Sequence, residues 1–382
     1  MVPPAVLSRT GLDEMVELLL DRGHRVIGPT VRDSAIVLDE LDSPARLPSG
    51  WGVVTGPGHY RLRRRADAAV FGHSAGPLTW KHFLYPPRED LWSVARDGAG
   101  EVVPAAEPDD RPMAFLGIRG CDLAAIGALD RVLRLGQYPD GRYDRRRRRT
   151  LLIAVDCTEP GELCFCASTG TGPAAGPGYD LALTEVLDGE HRFLVVAGSP
   201  AGAELLAALH TRPATDEELA SARAAVAAAS DRMGRTLPAA DLPTVLAASR
   251  ESSRWSEIAQ RCLSCGNCTM VCPTCFCTTT QDATALTGEH ATRSRHWASC
   301  FELGFSELHE GPVRASAESR YRQWLTHKLG TWPEQLGGPG CVGCGRCIAW
   351  CPAGIDLTEE AAALATEWGG DAGDRDRADR SG

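Results

Sequence analysis

Four cysteines at fixed spacing, closed by a proline, occur twice in this chain. The first copy is Cys262-x-x-Cys265-x-x-Cys268-x-x-x-Cys272-Pro273 and the second is Cys341-x-x-Cys344-x-x-Cys347-x-x-x-Cys351-Pro352. They are the only internal repeat. The whole chain carries 15 cysteines, an odd number that does not suit a fully paired disulfide framework. Met1–Asp21 is an acidic amphipathic stretch with neither the basic start nor the cleavage site of a signal peptide, so a cytoplasmic setting is expected. In a reducing compartment, thiols at this density point to metal.

The spacing is that of bacterial ferredoxins. Three thiolates two residues apart sit on one tight loop and grip three irons of a cubane, while the fourth iron needs a thiolate from elsewhere. The last cysteine of each copy is placed to reach the partner cluster. One [4Fe–4S] cluster is therefore expected on Cys262, Cys265, Cys268 and Cys351, and a second on Cys341, Cys344, Cys347 and Cys272. Gly266 and Gly345 let the backbone pass close to the cluster, and Pro273 and Pro352 stop the loop from continuing as a helix. Crossed ligation holds the clusters close together, as electron hopping requires. A zinc-stabilised interaction module is the alternative, although zinc uses paired C-x-x-C knuckles and has no need of the third thiolate.

The remaining composition excludes more than it assigns. A net charge of −10 argues against a nucleic-acid partner, and no apolar run reaches the length of a membrane span. Lys81 and Lys328 are the only lysines, a bias read as codon usage. Residues 1–200 are expected to form an α/β (or α+β) domain. It has a helix over Leu12–Leu20 and strands at Arg25–Val31, Ala35–Leu38, Met113–Ile118, Leu151–Val155, Leu181–Val186 and Phe193–Ala197. Residues 201–250 read as a helical connection, with helices at Glu217–Ala229 and Leu242–Ala259. Residues 251–368 read as an all-α, α-helical ferredoxin-like domain that includes a helix over Glu318–Leu329. Residues 369–382 carry no apolar side chain larger than alanine and read as a disordered tail.

Four more thiols, Cys121, Cys157, Cys164 and Cys166, lie at the ends of expected strands in the first domain. Converging strand ends could bring them together around a third iron–sulfur cluster; the alternative is buried, unligated cysteines. Cys275, Cys277 and Cys300 are left without a role: a metal site completed by His296, packing, and a redox pair all stay open. Arg346 sits inside the second loop, where its charge would raise the potential of that cluster unless it points to solvent. Gly170-Thr171-Gly172 lacks the following helix of a dinucleotide site. The run Arg145–Arg149 reads as a solvated loop. No catalytic residue is identified, and a self-contained flavin-dependent oxidoreductase with its substrate site in the first domain remains a second class of function.

Several further pieces narrow the family. They include Lys81-His82-Phe83-Leu84-Tyr85-Pro86-Pro87, Gly117-Ile118-Arg119-Gly120-Cys121-Asp122-Leu123 and Cys164-Phe165-Cys166 with Gly170-Thr171-Gly172-Pro173. In the same order follow Tyr179–Thr184, Cys272-Pro273-Thr274-Cys275-Phe276-Cys277, Arg320-Tyr321-Arg322-Gln323-Trp324 and Cys341-Val342-Gly343-Cys344-Gly345-Arg346-Cys347. From about Asp13 to Thr358 the chain resembles the beta, iron–sulfur subunits of sulfhydrogenase-type nickel–iron hydrogenases, and equally the iron–sulfur component of anaerobic sulfite reductase. The resemblance implies that the matched cysteines are ligands. It also implies an electron relay between a flavin-containing, NAD(P)-linked diaphorase-like subunit and a catalytic redox subunit.

Overall fold

The computed structural model describes residues 3–96, 102–104 and 111–379. In chain order its strands are β1 (Ala5–Ser8), β2 (Arg25–Arg32), β3 (Ala35–Glu40), β4 (Trp51–Gly56), β5 (His59–Arg64), β6 (Arg88–Arg96) and β7 (Val102–Pro104). Then come β8 (Met113–Arg119), β9 (Thr150–Val155), β10 (Leu181–Val186), β11 (Arg192–Ala197), β12 (Thr211–Pro213), β13 (Thr278–Thr284) and β14 (His290–Trp297).

An eight-stranded mixed sheet, in the order β12-β1-β11-β10-β9-β8-β2-β3, organises the first half. Its middle, β10-β9-β8-β2, is parallel, and antiparallel strands close both sides. Strands covered on both faces read as nearly unbroken apolar runs, which is why Met-Ala-Phe-Leu in β8 and Leu-Leu-Ile-Ala-Val in β9 are legible. All six expected strands form. The sheet also continues past residue 200, because β12 pairs with β1. The helix Asp216–Asp231 packs Ala222 against Val6 and Leu194, its start fixed by a Thr215–Glu218 capping box.

The second half is not all-α. A threonine-rich hairpin, β13–β14, rises between the two cysteine motifs and adds to β6, giving a second sheet β13-β14-β6-β7. β-branched threonines suit an exposed strand, but without apolar alternation they gave no signal in sequence. Arg295 on β14 locks the hairpin to the first half. It donates to Glu89 at 2.6 Å, pairs with Asp140, and lies over the Tyr85 ring at 4.1 Å. The arginine run is helical over Gly141–Arg148 rather than a solvated loop: Arg146 pairs with Glu89 and Arg147 with Asp130.

Leu242–Ala259 is two helices, Leu242–Ala248 and Arg254–Arg261, broken where the polar residues Ser249–Ser253 intervene. The helix Ala317–Thr326 passes into a wider turn at His327–Thr331. The last helix, Leu357–Asp379, extends into the stretch read as a disordered tail, and residues 380–382 lie outside the described residues. Among the described residues no helix is long and apolar enough to cross a membrane.

Candidate metal centres

The two proline-terminated loops fold alike. Between the first and second cysteines, Ser264 (φ +50°) and Gly343 (φ +62°) take the left-handed conformation. Gly266 and Gly345, both at φ +74°, then open the short helical turns Asn267–Met270 and Arg346–Ala349. This path aims main-chain amides at sulfur. Ser264 N–H faces Cys262 Sγ at 3.4 Å, and the amides of Gly343 and Arg346 serve Cys341 and Cys344 in the same way. Such bonds favour thiolate over thiol and tune a cluster held there.

The fourth cysteine crosses over. One cavity is lined by Cys262, Cys265 and Cys268 of the first loop together with Cys351 of the second, with Phe301, Tyr321 and Trp324 as apolar walls. Cys347 borders the same cavity, so the two centres share a wall. On the other side of that wall, Cys347 lies within electrostatic reach of Cys341, Cys344 and Cys272. The Pro57-Gly58 turn between β4 and β5 covers the Cys351 corner, where Gly58 N–H donates to Ile348 O at 3.0 Å.

Burial raises most of these thiols above their ordinary range, Cys341 to about 12. Bare, they would be neutral near pH 7; a metal must displace their protons as it binds. Cys272 differs. A hydrogen bond from Cys275, helped by Lys328, holds it well below the ordinary value.

The four thiols of the first half also meet. β8 and β9 are parallel neighbours, and Cys121, on the first turn of the helix Gly120–Leu133, and Cys157 follow their adjacent carboxyl ends. Cys157 N–H donates to Pro173 O at 3.1 Å, which draws in the loop carrying Cys164 and Cys166. Cys164 and Cys166 each sense Cys157, and Cys121 senses Cys166. All three also sense Cys344 of the second loop. The contact is direct: Phe165 N–H donates to Gly343 O at 2.8 Å, and a Cβ on Gly343 would lie 2.5 Å from Cys166 N.

Charge around the second centre is unusual. Lys81 and Lys328 are 2% and 4% exposed, and both reach toward Cys272 and Cys275. Lys81 Nζ donates to Cys275 O at 2.8 Å and lies 3.7 Å from the Trp297 ring centroid; Lys328 Nζ donates to Thr274 Oγ1 at 3.1 Å. Among the described residues neither has a carboxylate partner. A buried ammonium without a counter-ion is costly, and the anion that suits this pair is a set of thiolates on a metal centre. The donor set, the tight loops and the two cations all fit an iron–sulfur cluster. The sequence reading missed both lysines, although their being the only two in the chain was the available signal.

Arg346 does not point to solvent. It is 3% exposed and forks onto Asp122 at 2.7 and 3.0 Å, stapling the second loop to the helix that carries Cys121. The pair is neutral, so Arg346 opposes the thiolates less than a free guanidinium would; that role falls to Lys328.

Cys275, Cys277 and Cys300 flank the two loops. The Cys275 thiol hydrogen-bonds Cys272, and Cys300 lies within electrostatic reach of Cys277 and Cys268. His296 lies 2.9 Å from Ser294 Oγ and does not join them in a metal site. Among the described residues no group of three or more His, Cys, Asp or Glu has the closeness of a single-ion site.

Comparison with known proteins agrees with this geometry. Residues 261–355 match the family described as 4Fe-4S dicluster domain, which indicates two [4Fe–4S] clusters. No solved structure matches the chain. Sulfhydrogenase 2 subunit beta of Pyrococcus furiosus is 33% identical over 279 residues, spanning 72% of this chain and 79% of the relative. The chain thus belongs to the family of sulfhydrogenase beta subunits, proteins of the 4Fe–4S dicluster type.

Proposed function

We propose that the chain is the iron–sulfur electron-transfer subunit of a multisubunit oxidoreductase. It would relay electrons between a flavin-containing, NAD(P)-linked diaphorase-like subunit and a catalytic subunit of hydrogenase or sulfite reductase type. Cys262, Cys265, Cys268 and Cys351 hold one [4Fe–4S] cluster and Cys341, Cys344, Cys347 and Cys272 a second; Cys121, Cys157, Cys164 and Cys166 hold a third iron–sulfur cluster. Each cluster, when bound, accepts and releases a single electron.

The observation that carries the reading is adjacency. Cys347 borders the first set, while the second loop meets the Cys164–Cys166 loop of the third through Phe165 N–H to Gly343 O and the close approach of Gly343 to Cys166 N, so the second set adjoins both others. The chain's own residues do the rest. The two loops fix the thiolates, Phe301, Tyr321 and Trp324 form an apolar wall on the inner side of the first set, and Lys81 and Lys328 place positive charge beside the second.

Cys265→Ser and Cys344→Ser test the ligand assignment. Each should abolish the paramagnetic signal of its own loop's centre in the reduced, anaerobically prepared chain. Wild-type electron paramagnetic resonance spectra from either variant would overturn the assignment.

A further inference from the structure

Cys265 is the exposed thiol among the eight of the two motifs. Leu263 is 67% exposed beside it. Next to the loop stands a small hairpin that follows Phe301, in which Glu307–Leu308 pair with Gly311–Pro312. Arg320 ties this hairpin to the loop, donating to Arg314 O and Ala315 O at 3.0 and 2.8 Å and to Ser264 Oγ at 3.2 Å. The hairpin and the turn just before it expose Leu308 at 70%, Val313 at 61%, Leu303 at 52% and Phe305 at 38%. Large apolar side chains grouped on a surface mark a contact site. The rim is acidic: Glu302, Glu307 and Glu310 are exposed, and among the described residues none of them forms an ion pair.

We propose that this face is the docking surface for a one-electron redox protein. The partner would present an apolar centre within a lysine- or arginine-rich rim, with its own redox group close beneath. The proposal deepens the relay reading and rests on it. Three features coincide here: the thiol through which the first centre meets solvent, an apolar platform attached to that loop, and unpaired carboxylates to attract and orient a basic partner. Burying the platform would exclude water between the two redox groups, and the rim would set the rate of encounter.

Cytochrome c, a basic one-electron acceptor, serves as probe for the full chain loaded anaerobically with iron and sulfide and reduced with dithionite. One electron passes to the ferric haem, which becomes ferrous while the chain is oxidised by one electron; no bond forms or breaks. The second-order rate should fall steeply with salt. Glu302→Gln/Glu307→Gln/Glu310→Gln should slow it about tenfold at low salt and flatten the salt dependence. Leu308→Ser/Val313→Ser should slow it at all salt concentrations. In both variants, iron content and the rate with a small uncharged quinone should stay unchanged. Wild-type cytochrome rates in both variants with iron intact would overturn the docking surface while leaving the relay standing. Concentration-dependent dimerisation abolished by Leu308→Ser/Val313→Ser would assign the face to a second copy and overturn it too. A wild-type chain that takes up no iron or sulfide would sink the relay reading itself.

Discussion

Replacing Lys328 with methionine should lower the reduction potential of the centre proposed on Cys272, Cys341, Cys344 and Cys347. One positive charge at roughly 6–8 Å, with an effective dielectric near 20, is worth about 2–3 kcal/mol, or on the order of 100 mV for a one-electron couple. The sign follows from charge. Reduction adds an electron to an anionic centre, and the buried ammonium stabilises that product more than the oxidised state. Lys328 is suited to this because among the described residues it has no carboxylate partner and because Cys272, whose thiolate form Cys275 and Lys328 favour, is the first charge to hold its proton in place. Methionine keeps the length and apolar bulk, so packing against Trp332 should survive. Redox titration followed by paramagnetic resonance reads the shift; an unchanged midpoint in a chain that keeps its iron would mean that Lys328 does not face that centre.

Gly343→Ala should be among the most damaging single changes to this chain. A methyl there meets Cys166 N and the carbonyl carbon of Phe165, both at 2.5 Å, and backbone atoms cannot step aside as a flexible side chain would. The residue also sits at φ +62°. Strain and collision together should cost about 3 kcal/mol or more, and should part the second loop from Cys164 and Cys166. Gly170→Ala is the control. Gly170 has nearly the same φ, +65°, but nothing within 4 Å, so only the conformational cost of about 1 kcal/mol applies. Denaturant midpoints of the iron-loaded proteins compare the two. Equal losses would show that the contact between the second loop and the Cys164–Cys166 loop carries no stability.

What could be seen in sequence follows a physical division. Each cysteine motif is local: one short run of consecutive residues dictates a loop, and the paired left-handed positions at Gly266 and Gly345 were foreshadowed by glycine itself. The parallel strands were legible because burial on both faces leaves unbroken apolar runs. The hairpin β13–β14 was not, since its stability comes from Arg295 reaching Glu89 and Asp140 far away in the chain. Lys328 stood out only as one of two lysines, and its role was not legible because it depends on Cys272 and Gly340, which the fold brings to it. The same holds for Arg346. Its position inside a cluster loop suggested an unpaired charge, and only the fold supplies Asp122 to cancel it.

Three thiol sets in a row, the middle one sharing a border with each neighbour, is the arrangement on which electron relay through this chain rests. Iron and acid-labile sulfide, counted per full-length chain prepared without oxygen, test it most directly. The expected result is about eight of each for the two cubanes, four per cubane, plus those of the third centre. Zinc in place of iron, with no sulfide, would contradict it.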